Sequence, residues 1–398
     1  MTNKLLLTVL SITLILSCKD SKVDVSTSYY SNVECIEYDF DDSPDVILDT
    51  IVDRYWAVPL ETNDQNLIGR IDKMLFRDSL IIIADYSIAK SVFIFNNSGK
   101  YLSKIHRLGN GRGEYLSMRD VCLTKDGNLS ILDNYKNKIV TYSLNGKFIS
   151  DKTIDFKFRD FEYINEDTLA YNVSMCIINK KKIINQSECV VGDINSNLAY
   201  AFGNDYSYKN DNPNSNATKS QELYYFNGDV YCTPNSDNYI YQLTTNGPVA
   251  KYLLKTKPES LLSFADLINS SKTKRADELY SSNTFFNSDF LELKDMSLIR
   301  FLDKGYPTPI IIYNHRDKIA YNVANYSQNP IFSLFSSFPQ GVFDDKTVVF
   351  TKTASYLKSI EQEGIITPKA IHDYIFSSIS VDSNPVLFFF KFRDDDNK

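Results

Sequence analysis

Pairs of Arg and Asp recur at the start of three apolar segments of the chain. These pairs are Arg70/Asp72, Arg119/Asp120 and Arg159/Asp160. A guanidinium can hold a carboxylate or phosphate group through two parallel hydrogen bonds, so a ring of such pairs could capture an anionic ligand. Alternatively, each Arg pairs with an acidic neighbour on the next segment and only stabilises the fold, because half-buried charges are usually paired.

Three glycines at alternate positions, Gly109, Gly111 and Gly113, are superficially similar to a phosphate-binding loop. Such a loop needs a helix N-terminus behind it, so that backbone N–H groups and the helix dipole face the anion. The residues that follow, YLSMRDVCLT, predict a strand instead. We therefore expect a tight connection in which Gly supplies a positive φ angle.

Metal and hydrolase chemistry have little support in the sequence. The histidines, His106, His315 and His372, fall in different predicted elements and never at the spacing of metal ligands. His315 and His372 are expected at surface or capping positions. The sequence contains neither a GxSxG motif nor a Ser/His/Asp order that would predict a hydrolase. No cofactor is expected, although a structural Ca²⁺ in a channel could be held by carbonyl groups and Asp without any His.

Cysteine and aromatic residues give weak indications. The five cysteines after residue 18 are odd in number and include no CxxC, so Cys176 and Cys189 could be bonded across a hairpin or remain free thiols. Most Tyr and Phe alternate along predicted strands and are expected in the core. One aromatic cluster beside a polar loop is a candidate for glycan contact: Tyr206, Tyr208, Tyr224 and Tyr225. The net charge of −7 argues against a nucleic-acid partner.

The elements that must position these residues repeat along the chain. RDSLIIIAD and KDGNLSILD are each a polar turn and an apolar strand that ends in Asp, at Asp85 and Asp133, 48 residues apart. A second strand and a Gly turn follow each copy, at Gly99 and Gly146. Repeats at this period are typical of propellers built from stacked four-stranded sheets.

We predict one all-β domain over residues 51–398, a six-bladed β-propeller of four-stranded antiparallel blades. Its last blade is completed by the strand Trp56–Thr62, because an unpaired edge strand invites aggregation. Two short helical inserts are predicted, one from Pro258 through Ile268 and one that Thr367 caps and that runs through Ile375. Because innermost strands line the channel of a propeller, the Arg/Asp pairs are predicted at the channel mouth.

The N-terminus has the layout of a secretory signal over residues 1–17. Lys4 precedes the apolar run Leu5–Leu16, which is too short to span a bilayer. Cys18 directly after Ser17 resembles a bacterial lipobox, which implies a lipid on Cys18 and a membrane partner. An ordinary cleaved signal with an incidental Cys is the alternative.

Residues 18–50 are polar and acidic and are predicted to form a lipidated tether. The expected location is the cell envelope, as an outer-membrane lipoprotein. Lys19-Asp20 resembles an export tag, which would place the protein at the cell surface.

Several segments together resemble a known family. They are VPLETND with IGRI, LGNGRGEY (Leu108–Tyr115), the Asp-ended strands and the terminal NPVLFFFKF. The chain resembles the six-bladed β-propeller lipoproteins of Gram-negative anaerobes, which are similar in architecture to NHL-repeat propellers. Arg112 departs from the GxGPGEY run of that family. The resemblance implies the fold and says little about activity.

The sequence therefore predicts a non-catalytic propeller that binds an unknown ligand or envelope protein and is anchored as a lipoprotein. The alternative is a propeller enzyme, a lyase or hydrolase with a metal ion in the central channel.

Overall fold

The structure is a computed structural model of the chain. It describes residues 30, 32–173, 182–203, 223–258, 261–263, 266, 281–323, 330–362 and 369–394. The predictions made for Cys18, Lys19-Asp20, Cys176, Tyr206, Tyr208 and Thr367 lie outside these residues. None of the helices in the described ranges has both the length and the apolar character needed to cross a bilayer.

The N-terminal part of the described chain contributes three strands and one short helix. They are β1 (Glu34–Asp39), β2 (Asp45–Val46), α1 (Leu48–Ile51) and β3 (Val52–Pro59).

The next three sheets have four strands each and follow one another along the chain. The first contains β4 (Lys73–Arg77), β5 (Leu80–Asp85), β6 (Ser91–Asn96) and β7 (Tyr101–Ile105). The second contains β8 (Asp120–Leu123), β9 (Leu129–Asp133), β10 (Lys138–Tyr142) and β11 (Phe148–Thr153). The third contains β12 (Asp160–Tyr163), β13 (Thr168–Asn172), β14 (Cys189–Asp193) and β15 (Leu198–Phe202), with α2 (Lys182–Asn185) before β14.

The last three sheets complete the described strands. The fourth contains β16 (Leu223–Phe226), β17 (Asp229–Cys232), β18 (Tyr239–Thr244) and β19 (Gly247–Lys257). The fifth contains β20 (Leu261–Leu262), β21 (Thr284–Glu292), β22 (Met296–Asp303), β23 (Tyr306–Pro307), β24 (Ile311–Asn314) and β25 (Ala320–Val323). A 3-10 helix (Pro330–Ser336) leads to the sixth, with β26 (Gly341–Asp344), β27 (Thr347–Lys352), α3 (Ala354–Gln362), α4 (Lys369–Ser378) and β28 (Val386–Phe392).

The first strand of each sheet faces the middle of the ring, apart from the short edge strand β20. The strands β4, β8, β12, β16 and β21 contact one another in that order, and β26 contacts β4. Apolar clusters between neighbouring sheets form the core, as where Phe76 packs edge-on against Phe343 at 5.3 Å between ring centroids. The predicted all-β propeller of four-stranded antiparallel blades is confirmed.

The predicted closure of the ring is also confirmed. Strand β3 pairs antiparallel with β28, so that the sixth sheet combines both ends of the chain in the order β26-β27-β28-β3. Trp56 lies opposite Phe389, and the two rings stack with centroids 5.0 Å apart. The Asn384 side chain adds hydrogen bonds from its Nδ2 to the carbonyl oxygens of Glu61 and Asn66, at 2.8 and 2.9 Å.

The prediction that residues 18–50 form a tether is wrong for residues 32–50, which belong to the fold. Strand β1 pairs in parallel with β19, which makes the fourth sheet five-stranded, and β2 pairs with β25. Ile36 and Tyr38 are buried between the fourth and fifth sheets. The alternation of apolar and polar residues in ECIEYD drives this pairing, although the surrounding segment is acidic.

The helical inserts agree with the predictions in part. Helix α4 lies where the second insert is expected and contains Ile375. In the first insert, Leu261 and Leu262 instead form β20, which pairs in parallel with β21. Two adjacent Leu residues fit a strand as well as a helix, and an open sheet edge was available to them. Helix α3 and the 3-10 helix were not predicted.

The Asp residues at the strand ends serve one structural purpose in both copies. The buried Asp85 carboxylate accepts the N–H groups of Gly69 and Arg70 through Oδ2, each at 2.9 Å. The buried Asp133 carboxylate accepts the N–H of Leu116 at 2.8 Å in the same way. Each Asp thus fixes the loop that leads into the innermost strand of its own sheet.

Candidate functional site

A cavity of about 570 Å³ lies at the centre of the ring, and residues of β4, β8, β12, β16, β21 and β26 line it. The lining is mostly aromatic and aliphatic, with charged groups at intervals. Cavities of this size, apolar with a few polar groups, are typical of small-molecule sites. We call it the axial cavity and take it as the candidate functional site.

One side of the axial cavity is built on a buried ionic network that spans three sheets. Lys73 Nζ on β4 lies 3.0 Å from Asp120 Oδ1 on β8 and 2.8 Å from Glu162 Oε1 on β12. Asp120 also accepts hydrogen bonds from Tyr86 Oη and from the N–H of Phe161, both at 3.0 Å. The network therefore joins the first three sheets beside the cavity.

The pKa values in this network follow from burial and from the paired charges. Burial alone would lower the pKa of Lys73, but the carboxylates of Asp120 and Glu162 raise it well above its ordinary value. Burial raises the pKa of Glu162 despite the attraction of Lys73. Burial, followed by the charge of Asp120, raises the pKa of Tyr86. Lys73 thus stays charged and acts as a fixed cation, which is unsuited to proton transfer near neutral pH.

A second basic group lies where β4, β8 and β16 end. The Arg77 guanidinium donates from Nη1 to the Lys125 carbonyl oxygen at 3.4 Å and lies against Gly127. Lys125 Nζ lies 4.5 Å from the centre of the Tyr225 ring and 3.2 Å from the Gly228 carbonyl oxygen. Burial lowers the pKa of Lys125. We call Arg77, Lys125 and Tyr225 the rim cluster.

Acidic residues on the opposite side of the cavity already have partners. Asp289 on β21 accepts from Arg300 Nε at 2.7 Å, and burial raises its pKa against the effect of that Arg. Glu292 accepts hydrogen bonds from Tyr252 at 2.7 Å and Ser297 at 2.5 Å, and burial raises its pKa. These acids serve to hold β21 against its neighbours.

The predicted Arg/Asp pairs lie at the end of the ring where the inner strands begin. Arg70 pairs with Asp72 of its own sheet at 2.5 Å, and its side chain is 60% exposed. Of the six predicted residues, all of them described, only Asp72 lines the axial cavity. Arg119 is exposed, and Arg159 is half-buried.

The predicted acids of the second and third pairs have structural partners. Asp120 belongs to the Lys73 network, and Asp160 accepts a hydrogen bond from Asn172 Nδ2 at 2.8 Å. Lys73 makes a cross-sheet pairing of the kind that the sequence suggested for Arg.

The remaining motifs have local roles. Strand β8, not a helix, follows the Gly-rich loop, as predicted, and Gly113 has a φ of +69°. The Glu114 carboxylate accepts the Gly111 N–H at 2.7 Å, so an acidic side chain already occupies the loop. His315 is half-buried rather than at the surface, with Nε2 2.8 Å from Ser297 Oγ. In the described parts of the chain, no three His, Cys, Asp or Glu side chains are arranged to hold a metal ion.

Sequence reasoning missed Lys73, Glu162, Arg77 and Lys125. The available signal was a charged residue inside or directly after an apolar inner strand, as in DKMLFR and DFEY. That signal identifies unusual positions, but it cannot tell which of them meet across the ring. Tyr224 and Tyr225, two of the four residues named as candidates for glycan contact, line the cavity.

Comparison with known proteins identifies the family of the chain and structures of similar fold. The profile of a family described as a domain of unknown function, DUF4934, matches residues 31–391. The chain belongs to this family. The match of the DUF4934 profile begins before β1, in agreement with the N-terminal strands as part of the fold. No curated protein sequence matches the chain.

Solved structures resemble this DUF4934 protein in fold. A predicted exported protein from Bacteroides fragilis has a TM-score of 0.74 at 16% identity, covering 90% of this chain and 100% of that chain. A member of the DUF4221 family from Bacteroides vulgatus has a TM-score of 0.47 at 10% identity, covering 86% and 97%. A virginiamycin B lyase from Staphylococcus aureus has a TM-score of 0.41 at 11% identity, covering 85% and 99%. The first similarity shows the fold alone, and the other two are too distant to support any argument.

Proposed function

We propose that this protein is a non-catalytic binding protein of the bacterial envelope that holds a ligand in the axial cavity. The observation that carries the proposal is the cavity itself, at the centre of a closed ring and lined by all six inner strands. A preformed cavity with aromatic, aliphatic and charged side chains in its lining can bind a ligand with little reorganisation.

The proposed architecture is a six-bladed ring in which each of the six sheets is one blade. The sheet assignments and the order of contacts among the inner strands support this count. The extra strands β1, β2, β20 and β23 would then be additions at or beside blade edges.

The proposed location is the outer membrane, with a lipid on Cys18. The signal-like segment before Cys18 supports export, as does the similarity to an exported protein of Bacteroides fragilis. Incorporation of labelled palmitate into the full chain, and its loss in Cys18→Ser, would test the anchor. Labelling that persists in Cys18→Ser would contradict it.

Binding in the axial cavity can be tested with the neutral fluorescent dye N-phenyl-1-naphthylamine. The protein would be used without residues 1–18, which leaves every described element in place. Leu291→Trp adds a large side chain to the cavity lining, whereas Leu102→Trp places one at an exposed position on β7. We expect saturable binding that Leu291→Trp weakens at least roughly tenfold and Leu102→Trp leaves unchanged. Equal binding by both variants would contradict the cavity as the site.

A further inference from the structure

Two cations of the rim cluster lack a close carboxylate partner. Among the described residues, Lys125 has no carboxylate within ion-pair distance, and the one near Arg77 is Asp78 at 3.9 Å. The Asp78 side chain is 86% exposed, so that pair is weak. Partly buried charges without a counter-charge are costly to desolvate, and a ligand anion would offset that cost.

Most carboxylates around the cavity are paired with other cations, while Glu162 and Asp229 act on Lys125 from beyond ion-pair distance and oppose the lowering of its pKa by burial. Asp72 is paired with Arg70, Glu162 with Lys73 and Asp289 with Arg300. Asp344 at the end of β26 and Asp345 in the turn after it are exposed, and Asp344 accepts the N–H of Lys346 at 3.0 Å. Arg77 and Lys125 are therefore the charged groups of the lining that can bind a ligand anion.

Apolar surface continues from the rim cluster into the cavity. The Tyr225 ring is 49% exposed, and half-buried apolar side chains extend the lining beyond it. They are Leu75, Leu123, Phe226, Phe338 and Val342. A ring or chain of hydrocarbon would bury this surface at about 25 cal/mol per Å² of apolar area.

We infer that the axial cavity binds an amphipathic anion, with its carboxylate or sulfonate at Arg77 and Lys125 and its apolar body against the lining. This inference rests on the proposed function and specifies the chemical class of the ligand. Arg77 presents a planar fork of donors and Lys125 a point charge, so together they can hold two oxygen atoms of one acidic group. Tyr225 and the apolar side chains would then select a hydrophobic body over a hydrated one.

Gly127 contributes to the site by leaving room for Arg77. Its φ is +86°, and a Cβ atom there would overlap the Arg77 guanidinium. Gly146 occupies a similar turn with a φ of +83°. A Cβ atom there would lie 3.9 Å from its nearest neighbour, a side-chain carbon of Ile105. Gly127→Ala should therefore displace Arg77, while Gly146→Ala should carry only the backbone strain.

The test compares two dyes that share one aromatic framework. 8-Anilino-1-naphthalenesulfonate carries a sulfonate, and N-phenyl-1-naphthylamine does not. We expect Arg77→Met and Lys125→Met each to weaken sulfonate-dye binding roughly tenfold, because a charged hydrogen bond is lost. Binding of the neutral dye should change less than about twofold, since only the charge is removed. Lys100→Met, at an exposed turn outside the cavity lining, is the control and should alter the binding of neither dye.

The outcomes separate this inference from the proposed function. Equal losses for both dyes, or no loss for the sulfonate dye, would overturn the anion site while leaving cavity binding intact. Failure of the neutral dye to bind, or its indifference to Leu291→Trp, would overturn cavity binding itself. Gly127→Ala gives a second test. It should weaken binding of the sulfonate dye more than Gly146→Ala does, and equal effects on binding would contradict the role of Arg77. Thermal unfolding of every variant checks that each one is folded.

Discussion

Lys73 on β4 and Glu162 on β12 form a buried ion pair of 2.8 Å that spans the strand between them, β8. Asp120 on β8 completes the set from 3.0 Å away. One Lys therefore holds together three consecutive inner strands, and the side chains of all three residues are at most 14% exposed. The relationship adds a polar connection to the contacts that these inner strands already make with one another.

Removing this connection should lower the free energy of unfolding. Lys73→Met leaves two buried carboxylates without their cation, and we expect the free energy of unfolding to fall by about 3 kcal/mol. Urea denaturation measures the change, and Lys100→Met should alter stability by less than about 0.5 kcal/mol. Similar behaviour of the two variants would show that the network contributes nothing to stability.

Trp56 and Phe389, which stack where the two ends of the chain meet, should be energetically coupled. Phe389 is buried, so Phe389→Ala should cost about 3 kcal/mol or more. Because Trp56 stacks on it, a double-mutant cycle with Trp56→Ala should give an interaction energy of about 1 kcal/mol. Additive effects of the two substitutions would mean that the stacked pair does not help to close the ring.

Two turns that are equivalent in the repeat should respond differently to the same substitution. A Cβ atom on Gly99 would overlap the carbonyl oxygen of Pro59 on the closing strand, whereas one on Gly146 would make only ordinary van der Waals contact, at 3.9 Å or more. Both have φ near +80°, so the strain from a left-handed Ala is shared. We expect Gly99→Ala to destabilise by at least about 1 kcal/mol more than Gly146→Ala. Equal losses in urea denaturation would contradict the close approach.

Stability at alkaline pH should depend on a buried tyrosine, Tyr115, in the loop between β7 and β8. Burial raises the pKa of Tyr115 to about 12 from 10.0, and its Oη donates to the Lys90 carbonyl oxygen at 2.8 Å. The folded protein keeps this proton while the unfolded chain loses it, so the free energy of unfolding falls as the pH rises from 10 to 12.

Tyr115→Phe removes that proton and should make the decline shallower by up to about 1.4 kcal/mol per pH unit. Urea denaturation at several pH values between 9 and 12 measures the slope, with the surface substitution Tyr135→Phe as the control. An unchanged slope in Tyr115→Phe would show that Tyr115 does not retain its proton in the folded state.

Local pattern in the sequence predicted most of the fold. The Asp-ended strands and Gly turns repeat at a fixed distance, and the strand near Trp56 needed a distant partner, so both the sheets and the closure could be inferred. The strand-like patch at β1 was assigned to the tether because Ile36 and Tyr38 are two apolar residues in an acidic segment. Their burial depends on β19, more than 200 residues away, which no local pattern encodes.

The candidate site was predictable only in part, for a related reason. Asp120, one residue of the Arg/Asp repeat, belongs to the Lys73 network. Which charges meet across the ring depends on how far each strand is displaced relative to the next. Lys73 and Glu162 lie at different positions within their strands, so the repeat itself gave no reason to pair them.

The most direct measurement is a crystal structure of the protein grown with 8-anilino-1-naphthalenesulfonate. We predict the naphthalene ring inside the axial cavity beside Tyr225, with sulfonate oxygen atoms within about 3.5 Å of Arg77 or Lys125. A dye bound on the outside of the ring, or one in the cavity with its sulfonate turned away from both cations, would contradict the account.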